Sequence, residues 1–123
     1  MTMRMERVAS VIKEEMGSLL LRELNDPTLG FITVTEVRMT PDLRLAKIYV
    51  SIFGSEEIRQ KTMRYLEGQI PHVRGILGSH VRLKFTPAVQ FYLDETMEKV
   101  ERLEKIFKQI HTNGEHHEEE PQG

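Results

Sequence analysis

Apolar residues recur every three or four positions through the first 24 residues of the chain. This spacing places them on one side of a helix, so the pattern predicts an amphipathic helix over residues 4–24. The predicted apolar stripe consists of Met5, Val8, Ile12, Met16, Leu19, Leu20 and Leu24. Pro27 disfavours helical geometry at the residue before it, and Gly30 then allows the chain to change direction. A turn is therefore expected after this helix.

Two extended segments follow the turn. Residues 31–39 are rich in β-branched residues, and residues 45–53 alternate between apolar and polar side chains, which is typical of strands. The alternation places on one face Ala46, Ile48, Val50 and Ile52. Pro41 and Asp42 between the two segments favour a tight turn. We therefore expect an antiparallel hairpin whose apolar face is covered by helices.

Helix signals return at Ser55. Ser55 is a typical N-cap residue, and Glu56 and Glu57 suit the first turn, where the helix dipole favours negative charge. The inner face of this helix is predicted to consist of Ile58, Thr62, Tyr65, Leu66 and Ile70. The sequence thus predicts a helix that starts directly after the hairpin and packs on it.

A break and a third strand are predicted next. Pro71 interrupts the helix but suits the first position of a new one, expected over roughly residues 72–77 and ended by Gly78. Residues 81–93 have strand character, with a bend at Pro87 that favours a sheet edge or a bulge. The kinked helix pair therefore leads into an edge strand.

The last predicted element is a helix over residues 94–110. Its apolar positions are Met97, Val100, Leu103, Ile106, Phe107 and Ile110. The acidic tail of residues 111–123 is too polar to form a core and is predicted to be disordered. The whole pattern predicts a single α+β domain over residues 1–110, in the order α-β-β-α-kink-α-β-α, with helices on one face of a three-stranded sheet.

The net charge of −2 conceals an uneven distribution along the chain. Residues 38–93 contain nine basic residues against four acidic ones, whereas residues 94–123 contain four basic residues against nine acidic ones. A basic middle region would attract a polyanion such as RNA. The alternative is that mixed surface charge only keeps the domain soluble.

Other sequence features limit the class of protein. The chain has no run of about 18 apolar residues and no N-terminal signal segment, so we expect a cytoplasmic protein that does not contact a membrane. It also has no cysteine, which excludes disulfides and thiolate metal sites.

Candidate catalytic groups are few. Glu14 and Glu15 are adjacent in a predicted helix, so their carboxylates diverge by about 100°. His72 and His80 are isolated histidines without an evident carboxylate partner, and the histidines of residues 111–117 lie in a solvated charge run. We therefore expect no enzymatic activity, no cofactor and no metal site.

A helix, a break and a second helix on a small sheet form the architecture of KH domains, which bind single-stranded nucleic acid. The break at residues 69–72 lacks the Gly-x-x-Gly clamp of true KH domains. Arg74, His80, Arg82 and Lys84 follow it and could neutralise phosphates, which favours recognition of the RNA backbone over base readout. The alternative for each is an ordinary surface position.

From about Met3 to Ile110 the chain resembles the ribosome-binding factor A family. Six ordered segments carry the resemblance: Arg7-Val8 with Ile12; Asp26-Pro27-Thr28-Leu29-Gly30; Ile32-Thr33-Val34-Thr35-Glu36-Val37; Asp42-Leu43 with Ala46-Lys47-Ile48-Tyr49-Val50-Ser51; Val73-Arg74-Gly75-Ile76-Leu77-Gly78; and Leu83-Lys84-Phe85-Thr86-Pro87 with Phe91 and Asp94. The chain departs from the family at the kink, where Gln69-Ile70-Pro71 replaces an Ala-x-Gly element.

The resemblance implies a KH-like domain of the second topological type, without enzymatic activity or cofactor. It also implies binding to the free 30S small ribosomal subunit and its 16S rRNA. We further expect the protein to support late 30S maturation and 16S rRNA processing at the 5′-terminal helix region. A role in growth at low temperature and interplay with an assembly GTPase are also expected. We expect the protein to act as a monomer.

We predict that nine residues contact RNA phosphates. They are Arg7, Lys13, Arg38, Arg44, Lys47, Arg74, His80, Arg82 and Lys84. The alternative function is a protein-interaction module in which the helix over residues 94–110 forms a coiled-coil seam. Salt dependence separates the two, because RNA binding weakens steeply with salt and apolar helix pairing does not.

Overall fold

The computed structural model describes residues 3–24, 26–96 and 99–110. Its elements are α1 (Met3–Arg22), β1 (Phe31–Met39), β2 (Leu45–Phe53), α2 (Glu56–Gly68), α3 (Ile70–His80) and β3 (Ala88–Leu93), and residues 99–110 are helical again. The predicted α+β class and element order are confirmed. The predicted disordered tail of residues 111–123, with its histidines, and Met97 of the last apolar stripe lie outside the described residues.

The three strands form one sheet in the order β1-β2-β3. β1 and β2 pair antiparallel, as the predicted hairpin requires, whereas β2 and β3 pair parallel. A parallel pair needs a long crossover connection, which α2 and α3 provide. Pro87 directly precedes β3, an edge strand, as proline in a sheet should.

The core lies between one face of this sheet and the helices. The four predicted apolar residues of β2, Ala46, Ile48, Val50 and Ile52, are each 0% exposed. Six of the seven stripe residues predicted for the first helix are buried against them, namely Met5, Ile12, Met16, Leu19, Leu20 and Leu24. The prediction that helices cover this face is therefore confirmed for α1, and Leu66 of α2 and Val73 and Leu77 of α3 complete the cluster.

The predicted helix start and the predicted break both occur. The Ser55 side chain accepts a hydrogen bond from the amide of Ile58, as an N-cap should. Gln69 lies between α2 and α3, and Pro71 occupies the first turn of α3. Because an amide in the first turn of a helix has no helical acceptor, proline costs nothing there.

Two boundary predictions are wrong. α3 continues through Gly78 to His80, where Gly78 permits close approach to Thr86: an added Cβ would lie 2.9 Å from the Thr86 Oγ1. Residues 81–87 are irregular and do not belong to a strand. Leu45, the first residue of β2, pairs with Ala88, so β2 does not extend alongside the residues before Ala88.

The apolar stripe of the last helix is not buried. Five of its side chains are 41–70% exposed: Val100, Leu103, Ile106, Phe107 and Ile110. The helices that pack on the sheet are therefore α1, α2 and α3, whereas the stripe of residues 99–110 is left uncovered. Among the described residues, no helix combines the length and hydropathy needed to cross a membrane.

A buried hydroxyl joins α2 to the turn before β1. Thr62 is fully buried, and its Oγ1 accepts from the Gly30 amide at 3.0 Å and donates to the Ile58 carbonyl at 2.7 Å. The change Thr62→Val keeps the shape but leaves the amide without its acceptor, so we expect a loss of roughly 1 to 2 kcal/mol of unfolding free energy. Urea unfolding measures this loss.

Thr33→Val, at an exposed position of β1, is the matched control for this change. It makes the same chemical replacement at a surface strand position, where we expect a change within about 0.5 kcal/mol. Equal losses in the two variants would contradict the role assigned to the Thr62 hydroxyl.

Candidate nucleic-acid interface

A cleft of about 400 Å³ lies where the β1–β2 turn meets the irregular segment before β3. Its lining, which we call the basic cleft, consists of Arg4, Pro41, Asp42, Leu43, Arg44, Leu83, Lys84 and Phe85. Three of these side chains are cationic and one is acidic. The cleft therefore combines positive charge, an aromatic ring and a concave shape, as nucleic-acid sites do.

The one acidic side chain of the cleft, Asp42, is hydrogen-bonded within the β1–β2 turn. The carboxylate of Asp42 accepts from the Thr40 hydroxyl at 2.7 Å and from the Arg44 amide at 3.1 Å. These hydrogen bonds, that of Thr40 first, lower the pKa of Asp42 below its ordinary value. Leu43 adopts a left-handed conformation with φ of 61°, which completes the tight turn. The carboxylate thus stabilises the turn that supports Arg44.

Two cations lie beside the Phe85 ring. The Arg44 Cζ is 4.7 Å from the centroid of this ring, and the Lys84 Nζ is 5.6 Å from it. The side chain of Phe85 is nevertheless 52% exposed. Cation–π attraction therefore keeps both charges beside a ring that still offers a surface for stacking.

The structure brings several of the predicted RNA contacts to this part of the molecule. Arg44 and Lys84 line the cleft, and exposed Arg82 belongs to the same irregular segment as Lys84. Exposed Arg7 follows Arg4 of the cleft by three residues in α1, a spacing that places the two on the same side of the helix. Arg4, Arg44 and Lys84 therefore share the cleft, and Arg7 and Arg82 are close to them along the chain.

Arg38 and Lys47 lie elsewhere, on the sheet face that the helices do not cover. They are register partners on β1 and β2, at the end of the strands next to the β1–β2 turn. Arg38 also pairs with Glu36, with its Nε 3.0 Å from Oε1. Both side chains of this ion pair are largely exposed, so the pair contributes little to stability.

Three further predicted contacts lie in different surroundings. The Nε of Arg74 donates to the Pro87 carbonyl at 3.1 Å, so this guanidinium ties α3 to the chain just before β3. The Nδ1 of His80 lies 2.8 Å from the Glu15 carboxylate of α1. Lys13 lines a groove between α1 and β1 next to Glu14. Arg74 and His80 thus have structural partners within the domain.

A second histidine of α3 also lies beside a glutamate carboxylate, as His80 does. The Nε2 of His72 lies 3.1 Å from the carboxylate of Glu23, which directly follows α1, so α3 is joined both to α1 and to the residue after it. No sequence pattern indicated these carboxylate partners, because Glu23 precedes His72 by 49 residues. Among the described residues, no group of three or more histidines and acids is placed to hold a metal ion.

Two side chains of the cleft that could contact RNA, Arg4 and Phe85, were absent from the predicted set. Arg4 is 40 residues from Arg44 in sequence, and only the fold brings the two together. Phe85 ends the alternating basic segment of residues 81–85, and an aromatic residue within such a segment is the signal that could have identified it. The candidate interface therefore combines an exposed aromatic ring with several cations.

Comparisons with known proteins agree on one family. The profile described as ribosome-binding factor A matches residues 4–107. A ribosome-binding factor A of Dictyoglomus thermophilum is 41% identical over 111 residues, covering 89% of this chain and 92% of that protein.

A crystal structure and a homology model of a relative have a similar fold. The crystal structure of ribosome-binding factor A from Thermus thermophilus superposes with a TM-score of 0.63 at 25% identity, over 72% of this chain and 94% of that one. A homology model of the Thermus thermophilus protein, fitted into a cryo-EM map of its 30S complex, has a TM-score of 0.61 at 26% identity, over 70% of this chain and 90% of that one. By its sequence over most of its length and by its fold, this chain belongs to the ribosome-binding factor A family.

Proposed function

We propose that this protein binds the free 30S ribosomal subunit through 16S rRNA, with the basic cleft as the principal contact. The observation that supports the proposal most directly is the exposed Phe85 ring with Arg44 and Lys84 beside it and with Arg4 in the same cleft. Cations at this spacing neutralise backbone phosphates, and the ring stacks on a base. The Thermus thermophilus relative, which was fitted into the map of a 30S complex, supports the choice of partner.

The family further supports a role in ribosome biogenesis. In the proposal, bound protein stabilises an immature arrangement of the 30S subunit during late maturation, including 16S rRNA processing at the 5′-terminal helix region. It sustains growth at low temperature, and an assembly GTPase promotes its release. The protein acts in the cytoplasm as a monomer, without cofactor and without catalysis.

The nine predicted contacts take different parts in this proposal. Arg7, Arg44, Arg82 and Lys84 contact phosphates with Arg4 at the cleft, and Arg38 and Lys47 extend the contact onto the open sheet face. The other three residues contribute less to RNA binding in this proposal: Arg74, His80 and Lys13. The guanidinium of Arg74 and the imidazole of His80 are engaged with groups of the domain itself, and Lys13 lies beside an acid.

Cosedimentation with separated 30S subunits, 50S subunits and 70S ribosomes tests the proposed partner. At about 50 mM salt we expect selective pelleting with free 30S subunits, and at about 200 mM salt a loss of affinity of at least tenfold, because several phosphate contacts release counterions. An absence of binding to 30S subunits at both salt concentrations would refute the proposed function.

A protein-interaction module remains the second candidate, because the stripe of residues 99–110 is exposed. An apolar contact of this kind has little salt dependence. Binding to 30S subunits that is unchanged between the two salt concentrations would therefore favour this helix as the main contact, and a steep loss favours the basic cleft.

A further inference from the structure

The sheet face that the helices leave open presents six side chains in two rows across the three strands. The row nearer the β1–β2 turn contains Arg38, Lys47 and Gln90, and the next row contains Glu36, Tyr49 and Tyr92. We call these six residues the outer patch. Their neighbours along the strands, such as Val37, Ile48 and Phe91, are buried on the opposite face, so the patch points away from the core.

The two tyrosines of the outer patch stack on each other. Their ring centroids are 5.2 Å apart and their planes differ by 23°. The Arg38 Cζ lies 5.6 Å from the centroid of the Tyr49 ring. Since β1 and β3 flank β2 on opposite sides, the guanidinium and the Tyr92 ring approach Tyr49 from opposite sides. The result is a short column that begins at Arg38 and ends at Tyr92.

Tyr92 closes this column at the sheet edge. In the described part of the chain, β3 pairs with β2 alone, so no further strand lies beside Tyr92, and its side chain is 39% exposed. A cross-strand tyrosine pair stabilises a sheet by itself. A pair that ends an ordered column at an uncovered edge also offers a flat surface on which a nucleotide base can stack.

The charges of the outer patch and its position agree with a polyanionic ligand. Arg38 and Lys47 supply two cations in the row next to the tyrosines, while Glu36 is paired with Arg38. Lys47 follows Arg44, the residue before β2, by three positions or about 10 Å of extended chain, so the outer patch and the basic cleft lie at the same end of the sheet. An RNA strand that passes from the cleft around this end of the sheet can therefore reach the two cations and then the tyrosine column.

We propose that the outer patch binds an unpaired base of single-stranded RNA by stacking it on Tyr92, next to the backbone contacts of the basic cleft. This inference rests on the proposed function, and it adds a second stacking position, on the open sheet face, to the contacts of the basic cleft. The protein then distinguishes a junction with an unpaired nucleotide from a continuous RNA duplex.

Two RNA probes test this site: an unstructured oligonucleotide of about ten nucleotides and a blunt duplex. For Tyr92→Leu, we expect affinity for the single strand to fall by about fivefold or more, with affinity for the duplex unchanged within about twofold. Tyr92→Phe, which keeps the ring, should bind both probes like the parent chain. Phe53→Leu is the matched control, since Phe53 is an exposed aromatic residue at the far end of β2.

Intrinsic fluorescence supplies a second readout. The chain has no tryptophan and three tyrosines, two of which lie in the outer patch. Stacking of a base on Tyr92 should quench tyrosine emission when the single strand binds, and the quenching should diminish in Tyr92→Leu. Urea unfolding of each variant shows whether the fold is retained.

The outcomes separate this inference from the proposed function. Undiminished single-strand binding and unchanged quenching in a folded Tyr92→Leu variant would overturn the stacking site, even if the parent chain still pellets with 30S subunits. Equal losses on the single strand and on the duplex would also overturn it. Loss on the single strand alone, with Tyr92→Phe unaffected, supports it.

Discussion

Replacing Gly30 with alanine should lower the free energy of unfolding by roughly 2 to 3 kcal/mol. A Cβ at this position would lie 2.5 Å from the Phe53 carbonyl oxygen and 2.6 Å from the Ile52 Cγ2. One of these neighbours is backbone, so a side-chain rotation cannot relieve the contact. The turn would have to move away from the end of β2, which would also strain the hydrogen bond from Gly30 to Thr62.

Gly17→Ala provides the matched control. Gly17 lies inside α1, and an added Cβ there would meet no atom within 4 Å. Alanine is favoured over glycine within helices, so this variant should be more stable by up to about 1 kcal/mol. Urea unfolding of the two variants should therefore show changes of opposite sign. A loss of stability in both, or in neither, would contradict the close packing assigned to Gly30.

The double change Arg44→Gln and Lys84→Gln should weaken binding to 30S subunits by roughly 30-fold at about 0.1 M salt. Each phosphate contact contributes about 0.7 to 0.9 to the slope of log affinity against log salt concentration, so the slope should fall by roughly 1.4 to 1.8. Glutamine keeps most of the side-chain length, and both residues are exposed, so the fold should be retained. Cosedimentation over a series of salt concentrations measures both quantities.

The control variant removes the same amount of charge at the other end of the molecule. Arg22→Gln with Lys61→Gln also removes two exposed cations, and Arg22 lies about 27 Å along α1 from Arg4 of the cleft. This variant should keep its affinity within about threefold, because screening limits the reach of surface charge to about 10 Å at this salt concentration. Equal losses in the two variants would show that only the total charge matters and would contradict the assignment of the cleft.

Local patterns in the sequence predicted what depends on local physics. The spacing of Ile12, Met16 and Leu19 identified the buried side of α1, and the alternation around Ile48 identified the buried face of β2. Ser55 marked the start of α2 correctly. In each case the periodicity of a helix or a strand determines which side chains share a face, and burial of that face is what stabilises the element.

Predictions that depended on the pairing of distant residues were less accurate. Residues 81–85 alternate like a strand, but β2 does not extend alongside them, so they became the irregular wall of the cleft. The stripe of residues 99–110 has the spacing of a packed helix, yet it is exposed. Periodicity indicates which side of a segment is apolar, whereas the rest of the fold decides whether anything covers that side.

For the interface, the sequence alone determined the chemistry that is available: a basic middle region, several candidate cations and the aromatic residues among them. It could not determine which of these residues meet. Arg4, Arg44 and Phe85 come from three distant segments, and Tyr49 and Tyr92 from two strands that are paired in parallel. Only the tertiary structure determines these contacts, because the register of the sheet and the packing of α1 bring together residues that no local interaction connects.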